Sequence, residues 1–182
     1  MERLFTLGHS NKDAEEFLAL LAAEPAIERL VDVRRFPGSK RHPHFGREAL
    51  AATLADAGID YEHLPDLGGR RRGHADSPNT AWRNLSFRAY ADYMLGPEFQ
   101  TALAHLEELG RQRWTAVMCS EAVYWRCHRR LIADALVVRG WRVSHRLGPG
   151  QDVDHELHPD AVVEDGVRLT YPAPSERQEI LF

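Results

Sequence analysis

The sequence predicts an α/β three-layer sandwich with a mostly parallel sheet, to which a small C-terminal β-hairpin is appended. Three observations lead there. Short apolar runs alternate along the chain with stretches of helical periodicity, and glycines fall where helices need to stop. Strand–helix alternation in turn requires crossover connections, which are right-handed and usually helical.

The first strand is Leu4-Phe5-Thr6-Leu7, and Ala14, Phe17, Leu18 and Leu21, at i, i+3, i+4 and i+7, form the apolar face of the first helix. Ser10, three residues before Asp13, reads as its capping box. Leu30-Val31-Asp32-Val33 is the second strand, Leu50, Thr53, Leu54 and Ala57 mark the next helix, and Asp60-Tyr61-Glu62-His63-Leu64 is the third strand. Two consecutive helices follow, carried by Phe87, Tyr90, Ala91 and Met94 and then by Phe99, Ala102, Leu103 and Leu106. Gly96-Pro97 separates them as a cap followed by a first-turn proline. Ala116-Val117-Met118-Cys119 is the fourth strand, Leu131, Ile132, Ala135 and Leu136 belong to a helix, and Trp141-Arg142-Val143-Ser144 is the fifth strand. Gly58, Gly110 and Gly140 stand where left-handed C-caps end helices. Beyond Gly148-Pro149-Gly150 the pattern changes: Val162-Val163-Glu164 and Val167-Arg168-Leu169 flank Asp165-Gly166, a hairpin signal. The expected organisation is an α/β domain over 1–150, a hairpin appendage over 151–171, and a linker with a C-terminal peptide over 172–182.

A chain of 182 residues is one domain's worth, and 43% apolar with 27% charged residues excludes a disordered polymer. No apolar run reaches the length of a spanning helix, and the N-terminus lacks a secretory signal pattern, so the expected setting is cytoplasmic with no membrane partner. Two cysteines in a chain this size exclude a disulfide framework. The net charge of −4 is unevenly spread. From Arg34 to Arg88 ten Lys/Arg stand against six Asp/Glu, whereas from Asp152 onward two stand against eight. The clusters Arg34-Arg35, Lys40-Arg41 and Arg70-Arg71-Arg72 are of the kind that neutralises phosphates, and Phe36, Phe45 and Trp82 interleave them as candidates for stacking on a base.

In open parallel sheets ligands bind beyond the carboxyl ends of the strands, and those ends are polar here. Strand one runs into Gly8-His9-Ser10, strand two carries Asp32 and runs into Arg34, strand three ends near Leu67-Gly68-Gly69, and strand four ends in Cys119-Ser120-Glu121. Cys127, His128 and Arg129 then open a helix. A carboxylate inside an apolar strand requires a partner, and an arginine such as Arg129 is the structural alternative to catalysis for Asp32. Two chemical readings fit. In one, Asp32 or Glu121 is the general base of a hydrolase, His9 or His128 the proton donor, and Arg34 and Arg129 hold phosphate, with Ser10, Arg35, Lys40, Arg41, Arg70 and Arg71 as further substrate contacts. That reading requires no cofactor. In the other, Cys119, Cys127 and His128, with His9, bind a metal or act as a thiol site, although seven residues between the cysteines is not a zinc-knuckle spacing. The first makes the chain a DNA-lesion-processing enzyme, a base glycosylase in one form; the second makes it a metal-binding or thiol-dependent regulator.

The segments Gly8-His9-Ser10, Asp32-Val33-Arg34-Arg35-Phe36-Pro37-Gly38-Ser39, Leu67-Gly68-Gly69, Tyr90-Ala91-Asp92-Tyr93-Met94, Cys119-Ser120-Glu121 and Cys127-His128-Arg129, in that order, resemble the microbial family catalogued as domain of unknown function 488. The resemblance covers about Phe5 to Arg146. It implies an α/β cytoplasmic domain and no particular reaction. Separately, Gln178-Glu179-Ile180-Leu181-Phe182 resembles the peptide by which bacterial polymerases and repair enzymes dock on the DNA sliding clamp, with Gln178, Leu181 and Phe182 as the anchors. Glu179 and Ile180 depart from the commoner choices.

Overall fold

The computed structural model describes residues 2–38 and 41–174. Lys40 and the peptide anchors Gln178, Leu181 and Phe182 therefore lie outside the described residues. Each apolar run becomes a strand: β1 (Arg3–Gly8), β2 (Arg29–Asp32), β3 (Asp60–His63), β4 (Thr115–Cys119) and β5 (Arg142–Gly148). A sixth, β6 (Gln151–Asp154), completes the sheet in the order β3-β2-β4-β1-β5-β6. The first five are parallel and β6 is antiparallel to β5. The sequence assigned 151–154 to the appendage; its pairing with β5 makes it the sheet's edge.

Helices α1 (Ala14–Ala22) and α2 (Arg47–Asp56) cover one face, where Phe17, Leu21, Leu50 and Leu54 pack on Phe5, Leu7, Leu30 and Met118. On the other face α3 (Leu85–Met94), α4 (Pro97–Gln112) and α5 (Arg129–Val138) pack on Leu4, Val31, Val117 and Val143. The period-two alternation of the strands sends Leu4 to one core and Phe5 to the other, which produces three layers. Among the described residues no helix is long and apolar enough to cross a membrane. The small hairpin pairs β7 (Val162–Glu164) with β8 (Arg168–Thr170), and Leu169 and Tyr171 from this segment are buried in the core of the α3–α5 face.

Several local expectations change. The cap of α1 is Asp13, whose side chain accepts from the Glu16 amide while Glu16 reaches back to the Asp13 amide; Ser10 is not the cap. Gly58 and Gly140 adopt positive φ at helix ends as predicted, but Gly110 lies inside α4. A Cβ there would come within 2.8 Å of Leu4 Cδ2 and 3.0 Å of the Trp141 ring, so this glycine serves close helix–sheet packing. The hairpin turn holds three residues, since Glu164 pairs with Arg168 and not with Val167. Phe45 and Trp82 are core residues and cannot stack on a base as they stand; Phe36 is 67% exposed.

Candidate functional site: the carboxyl rim of the sheet

The connections leaving β1 and β4 run to opposite faces, β1 to α1 and β4 to α5, so these adjacent strands form the topological switch point. Their exits are laced together: the His9 amide donates to the Cys119 carbonyl at 3.0 Å and the Ser10 amide to the Ser120 carbonyl at 2.9 Å. Ser10 is held at positive φ.

The predicted acid/base and thiol residues His9, Asp32, Cys119, Cys127 and His128 lie at this rim, yet they divide into two groups. Asp32 stands in register with Met118, whereas Cys119 is the next residue along β4. Successive side chains leave a strand on opposite faces, so Asp32 points toward α1 and α2 and Cys119 toward α3–α5.

The first group is a closed polar knot. Asp32 is fully buried, and its Oδ1 accepts from the backbone amide and Nε of Arg34 at 3.0 and 2.9 Å. Its Oδ2 accepts from Arg34 Nη2 at 2.6 Å and from the Tyr61 hydroxyl at 2.8 Å. The partner is thus Arg34 and not Arg129. His9 stacks on Phe45 with ring centroids 4.2 Å apart; its Nδ1 lies 2.9 Å from the Ser10 carbonyl and its Nε2 3.3 Å from Arg34 Nη1. Burial, with the neighbouring Arg34 charge, lowers the His9 pKa to about 4, so the ring is neutral, with Nδ1 donating and Nε2 accepting. Burial and the Asp32 charge push the Tyr61 hydroxyl well above its ordinary range. Arg34 has every nitrogen in use within the protein, which leaves it no free fork for a phosphate.

The second group centres on two thiols. Cys119 and Cys127 are both unoxidised and buried, and with His128 they offer ligand atoms within 4.8 Å of one another. Among the described residues this is the one His/Cys/Asp/Glu group so placed. Arg129, also buried, donates from Nε to Cys127 Sγ at 3.3 Å and from Nη2 to the Glu121 carbonyl, so it braces the loop that joins β4 to α5. Hydrogen bonding to Cys127 and burial raise the Cys119 thiol well above its ordinary value. Burial alone would raise Cys127 too, but the Cys119 hydrogen bond and the Arg129 charge reverse that and bring it to about 6. His128 has Nδ1 3.7 Å from Cys127 Sγ, packs against Tyr90, and keeps Nε2 buried without a hydrogen-bond partner. The Glu121 side chain is exposed beside this group.

The Leu67-Gly68-Gly69 segment joins the thiol group to the basic loops. A Cβ on Gly68 would come within 3.0 Å of the Arg35 amide, and one on Gly69 within 3.0 Å of His128 Nδ1. Both glycines therefore serve close approach: the loop threads between the exit of β2 and the start of α5. Beyond it, Arg35 Nη1 donates to the Arg70 carbonyl at 2.9 Å, which ties the two basic loops into one edge. Arg71 is turned inward, bonded to the carbonyls of Gly68, Pro65 and Asp66 and stacked on Tyr93.

The model of the family described as "Domain of unknown function DUF488" matches residues 13–136, more than half of the chain. The chain belongs to that family. No curated protein and no solved structure matches it. The DUF488 span begins at the cap of α1 and reaches into α5, so it includes Asp32, Arg34, the two glycines and the whole thiol group, while Gly8, His9 and Ser10 precede it.

One aromatic escaped the sequence reading. Trp125, 48% exposed, lies on the loop between β4 and α5 beside Tyr124. Its signal was present in Tyr124-Trp125-Arg126, an aromatic pair followed by a cation, two residues before His128.

Proposed function

We propose that the chain is a nucleic-acid-binding protein that processes unpaired or damaged bases at the crevice beside its basic edge. The observation that supports this reading is electrostatic. Arg35, Arg41, Arg70 and Arg72 are exposed on the loops after β2 and β3, and among the described residues none is ion-paired with a carboxylate. Arg3, Arg29, Arg142 and Arg146, by contrast, each have an acidic partner. In a chain of net charge −4 these uncompensated cations are a local anion-binding surface, not the sign of a general polyanion coat. Phe36, under the Arg35 guanidinium at 5.6 Å, offers a stacking face in the middle of it.

With Asp32 enclosed by Arg34 and Tyr61, the carboxylate available for general-base work at the rim is the exposed Glu121. The reading places the protein in the cytoplasm, where both thiols stay reduced, and takes the peptide carrying Gln178, Leu181 and Phe182 as a ligand for the DNA sliding clamp.

The test is binding of single-stranded and damaged oligonucleotides by the full chain at several salt concentrations. Affinity falling with salt, by a log–log slope of about −0.7 for each phosphate engaged, and a loss of roughly 5–100-fold on Phe36→Ala support the reading. Absent or salt-independent binding overturns it. Deleting 178–182 should abolish clamp association without changing oligonucleotide affinity.

A second reading, a metal-binding or thiol-dependent regulator, is favoured by one specific observation: Cys119, Cys127 and His128 converge within 4.8 Å.

A further inference from the structure

From the geometry of the α3–α5 side of the rim, we infer that Cys119, Cys127 and His128 form a site for a thiophilic divalent cation of the zinc type, bound by two thiolates and one imidazole with a fourth position left open. This deepens the second reading and is independent of nucleic-acid binding.

Four features carry it. First, the donor set is two sulfurs and one imidazole nitrogen, which suits zinc better than a hard, oxygen-preferring ion such as magnesium or calcium. Second, the spacing suits a small tetrahedral ion: the three ligand atoms lie within 4.8 Å of one another, and zinc–sulfur bonds of about 2.3 Å require donors about 4 Å apart. A modest inward movement of side chains closes the set. Third, the His128 ring already turns Nδ1 toward the thiols, 3.7 Å from Cys127 Sγ, so the nitrogen that would ligate faces the set. Fourth, a supporting shell is already built. Arg129 Nε donates to Cys127 Sγ, its Nη2 holds the Glu121 carbonyl, Gly69 allows the His128 ring to lie against the loop, and Tyr90 packs on that ring. Outer groups of this kind orient metal ligands and tune them.

Position in the fold supports the same conclusion. Cys119 is the last residue of β4, and Cys127 and His128 immediately precede α5, so an ion there would clip the strand to the helix across the loop that bears Glu121 and Trp125. Two thiolates balance the charge of a divalent ion, while Arg129 bonds Cys127 from outside the set. Three protein ligands rather than four are the pattern of zinc sites that keep a position for water or substrate.

The experiment uses the full chain, reduced and stripped of metal, titrated with Zn²⁺ and with Co²⁺ as a spectroscopic probe. The inference expects stoichiometric uptake, tetrahedral d–d absorption with a thiolate-to-cobalt charge-transfer band, and protection of both cysteines from alkylation by Zn²⁺. Bound metal should also raise the melting temperature, since it binds the folded chain alone. Cys119→Ser, Cys127→Ser and His128→Ala should each weaken uptake by at least ~10-fold. Alkylation protection is read on the wild-type chain, so the test survives a variant that fails to fold. No cobalt uptake by fully reduced chain, a spectrum without thiolate charge transfer, or unchanged affinity in the Cys127→Ser chain overturns the inference. Oligonucleotide binding measured on the same metal-free samples separates its failure from that of the nucleic-acid reading.

Discussion

Replacing Asp32 by asparagine tests whether the polar knot is architecture or catalytic machinery. The carboxylate accepts four hydrogen bonds, three of them from Arg34, and is fully buried, while Arg34 is 7% exposed. The amide preserves shape but removes the negative charge, and its NH₂ group must face the Arg34 or Tyr61 donors. What remains is an uncompensated guanidinium with little access to water. Removing one partner of a buried pair costs about 3–5 kcal/mol. For a chain of this size each kcal/mol moves the melting temperature by about 2–4 °C, so Asp32→Asn should melt roughly 6–20 °C below wild type by circular dichroism. Arg34→Leu in the Asp32→Leu background should recover part of the loss caused by Asp32→Leu alone, because it removes the buried, uncompensated guanidinium. Nucleic-acid affinity of the folded Asp32→Asn fraction should stay at the wild-type level. The reasoning is refuted if Asp32→Asn melts with the wild-type chain yet loses processing of an oligonucleotide that the wild type converts, for Asp32 would then be a catalytic base.

Three further outcomes follow from particular contacts. Gly110→Ala should lower stability by about 1–3 kcal/mol in urea titration despite the better helix propensity of alanine, because the added methyl meets Leu4 and Trp141 at 2.8 and 3.0 Å; a gain in stability would show that the helix can shift outward. Tyr171→Phe should cost about 1–3 kcal/mol by leaving buried Asp134 Oδ2 without its 2.8 Å donor, and an unchanged denaturation midpoint would mean that the C-terminal segment is not clamped to α5. Burial depresses His9 to about 4 and, with His155 adding to burial, His145 to about 2, both below the ordinary 6.5. The unfolded chain therefore takes up these protons first, so stability is intact above pH 6.5 and falls as the pH drops toward 4; His145→Gln should flatten that slope, and parallel wild-type and variant curves would contradict the assignment.

Much of the layer structure was legible because apolar runs and helical periods are written in local sequence. The five parallel strands and the helices on both faces need no more than that, and Gly96-Pro97 marks the junction of α3 and α4 as expected. What failed had a physical reason in each case. β6 reads Gln151-Asp152-Val153-Asp154, and an edge strand with polar residues on both faces carries no apolar alternation to detect. Gly110 looks like a helix terminator because a glycine admitted for close packing and one admitted for positive φ are the same letter. The division of the rim into two groups was invisible for a stronger reason. It depends on the register of β2 against β4, which no local pattern encodes, and a slip of one residue would have sent Asp32 to the same face as Cys119.

That register decides where chemistry can occur. On the α1–α2 face every polar atom of the knot has a partner: four donors for Asp32, both ring nitrogens of His9 engaged, and each guanidinium nitrogen of Arg34 within reach of an acceptor. A network in which every member is already partnered is held rigid. On the α3–α5 face the count does not close, since two buried thiols share a small space with an imidazole that keeps one nitrogen unpartnered. Gly68 packs on the Arg35 amide and Gly69 on the His128 ring, and Arg35 bonds the Arg70 carbonyl, so this second group also adjoins the exposed arginines. Substitutions in the knot should therefore be read in the melting temperature. Those in the thiol group should be read in what the crevice binds.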